Sequence, residues 1–277
     1  MRQLFLWEQR GRNTVHMARF YPLFSSSKGN ASFVGTPKGG VLVDAGVSCR
    51  RILKALEARD IPPTAVQAIF ITHTHSDHIK GLRVLLKQLA VPVYATAETV
   101  ASLREAQYLT ESQGIALPEG ASVCVADMAF SAFPTSHDAV GSCGYRIHTA
   151  DDRTCAVCTD LGCVTDAVQE AVTGCDMVLL EANYDGSMLQ NGCYPPMLKA
   201  RICSSQGHLS NAASAEEAAY LLAHGTTRLV LGHLSQNNNT PQCAEQTVLD
   251  GLTAFERDRD YLLEVAKSEG LERAVIF

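Results

Sequence analysis

No apolar run in this 277-residue chain approaches the ~20 residues that a membrane-spanning helix requires. A signal-peptide core is missing too, since Trp7-Glu8-Gln9-Arg10 interrupts the amino-terminal apolar stretch. Positive charge is in deficit: 23 lysines and arginines stand against 29 aspartates and glutamates, a net charge of −6. Broad adhesion to nucleic acid depends on cations displacing counterions from phosphates, so this balance disfavours it while leaving room for a local basic groove. Internal repeats, linkers and low-complexity tracts are also lacking. These absences lead to the expectation of a cytoplasmic protein with no membrane association, folded as one compact unit whose 46% hydrophobic content suffices for a large core.

Cysteine is plentiful, at ten residues, but scattered through a long chain in a way that suits reduced, buried thiols better than a disulfide framework. Cys155 and Cys158 fall three apart in an expected strand, where such residues point to opposite faces and cannot clamp one metal. No second pair has zinc-ribbon spacing.

Periodicity predicts alternating strands and helices. Residues 18–24 and 31–44 read as short strands joined by Ser25-Ser26-Ser27-Lys28-Gly29-Asn30, and Cys49 to Arg59 as an amphipathic helix. A strand ending at Ile71 precedes a helix from about His78 to Leu89, a strand over Val91 to Tyr94 and a helix from Glu98. Further strands are predicted over Met128 to Pro134, Gly144 to His148, Arg153 to Thr159 and Asp176 to Glu181, the last followed by a Pro-containing loop. Ser210 to His224 is predicted as a helix with a capping box in Ser214 and Glu217 and a stop at Gly225, before a strand over Arg228 to Leu231. Residues 1–16 fit this pattern poorly and read as an appendage, with an edge strand at Leu4 to Trp7 as the competing reading; residues 17–277 form the expected single domain.

The chemistry concentrates after the strand Ala68-Ile69-Phe70-Ile71, where Thr72-His73-Thr74-His75-Ser76-Asp77-His78 packs three imidazoles and a carboxylate into one turn. Imidazole and carboxylate suit zinc and related divalent ions, and ligands so close in sequence must splay toward more than one metal. Asp44, His137, Asp160, His208 and His233 each fall in a loop just after a predicted strand, where open α/β sheets place ligand-binding residues. Core packing explains any one of them, but not the set. Lys80, Arg83 and Lys87 recur at helical spacing after the cluster, where a solvated face is the plain reading, and Lys199 and Arg201 precede His208.

The motif His-x-His-x-Asp-His, with Val43-Asp44-Ala45-Gly46, Thr135-Ser136-His137-Asp138, Thr159-Asp160-Leu161-Gly162 and Gly232-His233-Leu234-Ser235, resembles the metallo-β-lactamase family over nearly the whole chain from Met17. The resemblance implies an α/β fold: an αββα sandwich of two mixed sheets with helices on the outer faces. It assigns one metal to His73, His75 and His137, the other to Asp77, His78 and His233, with Asp160 bridging and Asp44 orienting a ligand imidazole. Two divalent ions are implied, zinc first with manganese or iron as alternatives, holding a hydroxide between them.

Secreted β-lactamases commonly carry cysteine in place of Asp160, and thioester hydrolases usually read differently after the third histidine, where this chain has Gly144-Tyr145. The order Gly207-His208-Leu209-Ser210, alanine-rich helix, strand and His233 resembles transfer-RNA 3′-processing enzymes, which implies that His208, paired with Glu181, protonates the leaving oxygen. A helix-entry residue is the plain alternative for His208. Those enzymes insert a long arm between the third histidine and the bridging aspartate, whereas this chain allows only about twenty residues there. The compact pattern resembles the YycJ/WalJ-type branch, associated with 5′-to-3′ DNA exonuclease activity. The expected function is therefore a binuclear metal-dependent phosphodiesterase acting on nucleic acid, DNA before RNA, with Asp77, His208 and Glu181 catalytic. A small-molecule phosphodiesterase is the runner-up, ahead of an RNA-processing nuclease or thioester hydrolase and a noncatalytic metal-bound scaffold. Ser27, Lys28 and Asn30 in the Ser/Gly turn, and Asn237 and Asn238, are candidate phosphate contacts, while His16, His148 and His224 read as structural.

Overall fold

The computed structural model describes residues 18–277 apart from residues 37 and 119, so the expected appendage, the alternative edge strand at Leu4 to Trp7 and His16 lie outside the described residues. A first sheet is built in the order β1 (Arg19–Phe24), β2 (Ala31–Thr36), β3 (Gly39–Val43), β4 (Val66–Phe70), β5 (Val93–Ala95) and β6 (Gly114–Ala116). β1 to β3 pair antiparallel and β3 to β6 parallel. The second sheet contains β7 (Ser122–Val125), β8 (Met128–Pro134), β9 (Cys143–His148), β10 (Thr154–Cys158), β11 (Met177–Glu181), β12 (Arg228–Gly232) and β13 (Leu262–Val265), in reverse spatial order. It runs antiparallel from β7 to β10 and parallel from β10 to β13.

Strands buried on both faces carry near-continuous apolar sequence, and these do. Phe20, Val34, Val43 and Phe70 of the first sheet meet Phe130, Tyr145, Val157 and Leu179 of the second between the layers. On the outside, α1 (Cys49–Glu57), α2 (Ser76–Ile79), α3 (Leu82–Leu89) and α4 (Ala97–Glu105) accompany the first sheet. Ile52, Leu56, Leu82 and Leu86 pack there against Phe33, Leu42 and Ile69. The second sheet is followed by α5 (Asp166–Val172), α6 (Gly186–Asn191), α7 (Pro196–Ile202), α8 (Asn211–Ala223) and α9 (Pro241–Gly251), and its outer face packs Ala156, Cys158 and Val178 against Val168, Leu221 and Val248. This is the expected αββα sandwich. Cys155 faces the inter-sheet core and Cys158 the helical side, as strand alternation requires. No helix among the described residues is long and apolar enough to cross a membrane.

Three local readings need correction. The segment 31–44 is a hairpin, β2 and β3, in place of one strand. The helix expected from His78 to Leu89 is broken into α2 and α3, because the Gly81 amide bonds Ala45 O at 2.8 Å while the His78 carbonyl accepts from Ala45 N at 2.8 Å. The cap of α8 is Ser210, whose hydroxyl accepts from Ala213 N at 3.2 Å; Ser214 lies inside the helix, donating to the Glu181 and Ser210 carbonyls. β6, β7, β13, α5, α6, α7 and α9 had no separate sequence signal, being short or dependent on tertiary packing.

Phe70 stacks on Phe130 at 4.1 Å between centroids and meets Tyr145 edge-on at 5.3 Å, which joins the sheets directly beneath the histidine-rich turn. Phe70→Ala is expected to lower unfolding free energy by about 3–5 kcal/mol in denaturant titration. The surface control Val84→Ser, at a residue 51% exposed, should change it by less than about 0.5 kcal/mol.

Candidate metal centre

The chemistry-bearing residues stand at one edge of the sandwich, each just past a strand end: Asp44 after β3, His73 to His78 after β4, His137 after β8, Asp160 after β10 and His233 after β12. Asp44, Asp160 and His233 have φ of 64°, 61° and 56°, left-handed conformations that turn the chain sharply at its exit from the sheet. Gly46 lets the Asp44 loop approach the metal-motif helix, since a Cβ there would lie 1.6 Å from Asp77 O.

Ligand-type atoms of His73, His75 and His137 lie within 4.8 Å of one another, as do those of Asp77, His78 and His233. Asp160 stands between the groups, with Oδ2 3.3 Å from His78 Nε2 and Oδ1 3.6 Å from His137 Nε2 and 3.5 Å from His233 Nε2. The imidazoles are aimed from behind. Asp44 Oδ2 meets His78 Nδ1 at 2.8 Å, Gly207 O meets His137 Nδ1 at 2.9 Å, and Glu181 Oε1 meets His233 Nδ1 at 2.8 Å, leaving each Nε2 toward the Asp160 carboxylate. Asp44 Oδ1 also accepts from Thr72 N at 2.9 Å, and the Asn183 amide donates to His233 O at 2.8 Å.

A divalent cation fits this donor set. His73 Nε2 and Asp160 Oδ2 are buried polar atoms without a hydrogen-bond partner, a condition folded proteins seldom leave uncompensated. Burial, followed by the charge of His78, pushes His73 well below its ordinary value, so its ring is neutral and open as a ligand. Burial opposes charge at His233, but the Asp160 carboxylate pushes its pKa up to about 10, and at His78 Asp160 and then Asp44 likewise overcome burial and hold the imidazole far above its usual range. Asp77 is depressed despite burial, chiefly by His78.

The expected partnership of His208 and Glu181 is present, with Nδ1 and Oε1 2.8 Å apart. Glu181, fully buried, does more than the sequence indicated: the same Oε1 holds His233, and Oε2 accepts from Leu161 N at 2.6 Å and Leu209 N at 3.3 Å. Ser27 and Lys28 lie at the surface, and Asn237 is exposed and donates to Tyr194 Oη at 2.8 Å. Asn30 and Asn238, the other two candidate phosphate contacts, are buried, at 8% and 1% exposed. Asn30 ties Ser26 to the Asp77 carbonyl, and its amide nitrogen also lies 3.4 Å from Asp77 Oδ2 and 3.1 Å from His78 Nε2, beside the candidate ligand atoms. Asn238 is enclosed beside α6, its carbonyl accepting from Asp185 N. His148 and His224 are remote from the cluster, and His224 caps α8 and stacks on Tyr220 at 4.0 Å. Asp138 went unassigned in the sequence, although its position beside His137 is a usable signal; Oδ1 lies 3.6 Å from His137 Nε2 and 3.7 Å from His75 Nε2.

A family model for the beta-lactamase superfamily domain matches residues 40–234. Exodeoxyribonuclease WalJ of Streptococcus pneumoniae serotype 2 is 37% identical over 233 residues, covering 83% of this chain and 86% of that protein. Exodeoxyribonuclease YycJ of Bacillus anthracis is 34% identical over 230 residues, covering 83% and 87%. The metallo-β-lactamase fold protein YhfI from Bacillus subtilis superposes with a TM-score of 0.70 over 92% of this chain and 98% of that one, at 18% identity, a likeness of fold alone.

Because the Asp160 carboxylate raises His233 from 6.5 to about 10 against burial, a cation bound at this imidazole would displace a proton at neutral pH. Titrating metal-stripped protein with zinc should therefore release protons, and apparent affinity should climb with pH and level off toward 10. Calorimetry at pH 7 in buffers of differing ionisation enthalpy reads the release directly, and buffer-independent heats would contradict it.

Proposed function

The chain belongs to the metallo-β-lactamase superfamily and is a metal-dependent hydrolase of ester bonds, and from that premise we propose that it is a nuclease, acting on DNA as a 5′-to-3′ exonuclease. One observation carries the reading: two ligand groups share the Asp160 carboxylate while a separate imidazole, His208, sits against Glu181 3.8 Å from that carboxylate. The names of the two relatives supply the substrate class, and the YycJ/WalJ-type pattern supplies the polarity.

In this proposal His73, His75 and His137 would hold one divalent cation and Asp77, His78 and His233 a second, with Asp160 available to both; zinc comes first, with manganese or iron as alternatives. When bound, such cations neutralise phosphate charge and make water acidic enough to attack at neutral pH. Asp44, Glu181 and the Gly207 carbonyl keep the ligand rings in place, so little reorganisation accompanies the reaction. His208 has a different task. Glu181 accepts from Nδ1 and leaves Nε2 without a hydrogen bond to the described residues, 17% of the side chain being exposed, so Nε2 can hand a proton to the departing alkoxide. A cytoplasmic setting accords with the ten unpaired thiols.

The test is to assay purified, metal-replete protein on end-labelled duplex DNA, single-stranded DNA, RNA and bis-p-nitrophenyl phosphate. Cleavage of DNA from the 5′ end is expected, and Asp160→Ala should abolish it in a folded protein with fewer than two bound metals; activity confined to the small ester would remove DNA as the substrate. His208→Ala is expected to keep both metals, to lose about 10²- to 10⁴-fold on DNA and to lose much less on the nitrophenyl ester, whose leaving group needs little protonation. Glu181→Gln should be the more damaging change, with reduced metal content by elemental analysis, because the carboxylate also holds His233.

A further inference from the structure

Arg201 stands in the last turn of α7, on a segment fixed to the metal centre by its backbone. His208 N bonds Ile202 O at 2.9 Å, and Gly207 O receives His137 Nδ1 at 2.9 Å. A Cβ at Gly207 would fall 2.3 Å from Arg201 O and 2.2 Å from Ile202 O, so the loop carrying His208 lies directly against the helix end. Arg201 is therefore held at a set position relative to His137 and His208.

Its side chain is set as well. Arg201 Nε donates to Asp138 Oδ2 at 2.5 Å, and the other oxygen of Asp138 lies 3.6 Å from His137 Nε2. The guanidinium thus sits two side chains from the metal-ligand cluster, with 51% of the side chain exposed. The contact with Asp138 uses Nε alone, and Nη1 and Nη2 carry no hydrogen bond to the described residues. A guanidinium held at Nε still presents its terminal nitrogens as a fork suited to two oxygens of one phosphate. Nearby Lys199 offers no equivalent, since its ammonium is engaged by Gln190 O at 2.7 Å.

A polyanion entering a site walled by Asp77, Asp138 and Asp160 meets negative charge at its rim, and Arg201 supplies the opposite sign there. We propose that Arg201 is a substrate-binding residue that takes the non-bridging oxygens of a phosphate adjoining the scissile one, and that Asp138 is the positioning residue that aims it. This inference rests on the nuclease reading. It also separates a strand of linked phosphates from a small ester, which has no adjoining phosphate for Arg201 to hold.

The experiment compares wild-type protein with Arg201→Ala, Arg201→Lys and Asp138→Asn, each metal-replete, on a DNA oligonucleotide and on bis-p-nitrophenyl phosphate. Arg201→Ala is expected to retain its metals and to raise KM for DNA about 10- to 100-fold, the loss of a charged hydrogen-bonded contact, with a much smaller change in kcat. The slope of log affinity for DNA against log salt should flatten by about one. Arg201→Lys should restore part of the KM and the salt slope but not the full affinity, and Asp138→Asn should raise KM by less than Arg201→Ala while leaving the slope unchanged. The small ester should respond far less than DNA to any of these changes. Unaltered KM and salt slope in Arg201→Ala would overturn the proposal while leaving the nuclease reading intact; equal losses on both substrates with falling metal content would show that Arg201 only braces the His137 loop. Wild-type protein that leaves DNA uncut would sink the nuclease reading and this inference together.

Discussion

The carboxylate of Asp160 lies within 3.6 Å of imidazole nitrogens from His78, His137 and His233, side chains delivered by three separate segments of the chain. Only 2% of the residue is exposed, and a buried carboxylate is tolerated only where positive charge and hydrogen bonds compensate it. Most of the architecture at this edge of the sandwich serves to bring that compensation to one place. The donors come from both sheets, so the relative position of the layers sets the geometry of the site.

Cross-braces between loops maintain that position. His233 N donates to Ser25 Oγ at 2.8 Å, linking the last candidate ligand to the turn after β1, and Ser27 N bonds Leu234 O at 3.2 Å alongside. Tyr145 Oη donates to Ile71 O at 2.6 Å, so β9 of the second sheet holds the strand that launches the histidine motif. Gly162 N bonds Ser136 O at 2.7 Å, and the Ser136 hydroxyl donates to the Ser205 carbonyl, which joins the Asp160, His137 and His208 loops. These are bonds of backbone to backbone or backbone to hydroxyl, and they tie the loops together independently of the imidazoles. Left-handed backbone at Asp44, Asp160 and His233 is sustained by the same bracing.

Glu181 shows how one buried group serves two ends. Its Oε1 meets the ring of His233 and that of His208, while Oε2 accepts two backbone amides, so the carboxylate couples a candidate metal ligand to a candidate proton donor. The resemblance of the residue order to transfer-RNA 3′-processing enzymes pointed to the pairing with His208. The link to His233 had no such signal: it depends on β11 and β12 being parallel neighbours, a tertiary fact. The same distinction explains the turn at residues 25–30. Its serines and asparagine read first as a turn, with phosphate contact as the lesser alternative, and the amide of Asn30 lies against the Asp77 carbonyl.

Residue type and spacing by themselves singled out the candidate ligands, because the His-x-His-x-Asp-His run concentrates the side chains that metal ions select, and the family resemblance divided them between two groups. Apolar periodicity determined the main strands and helices, and with the motif it determined the fold class. Tertiary structure decided what depends on distant segments meeting: the break between α2 and α3, the enclosure of Asn30 and Asn238, the double role of Glu181, and the placing of Arg201 through Asp138. Asp138 and Arg201 are 63 residues apart in the chain, and nothing in local propensity brings such residues together. Only the packing of α7 and the His208 loop against the His137 loop makes them neighbours.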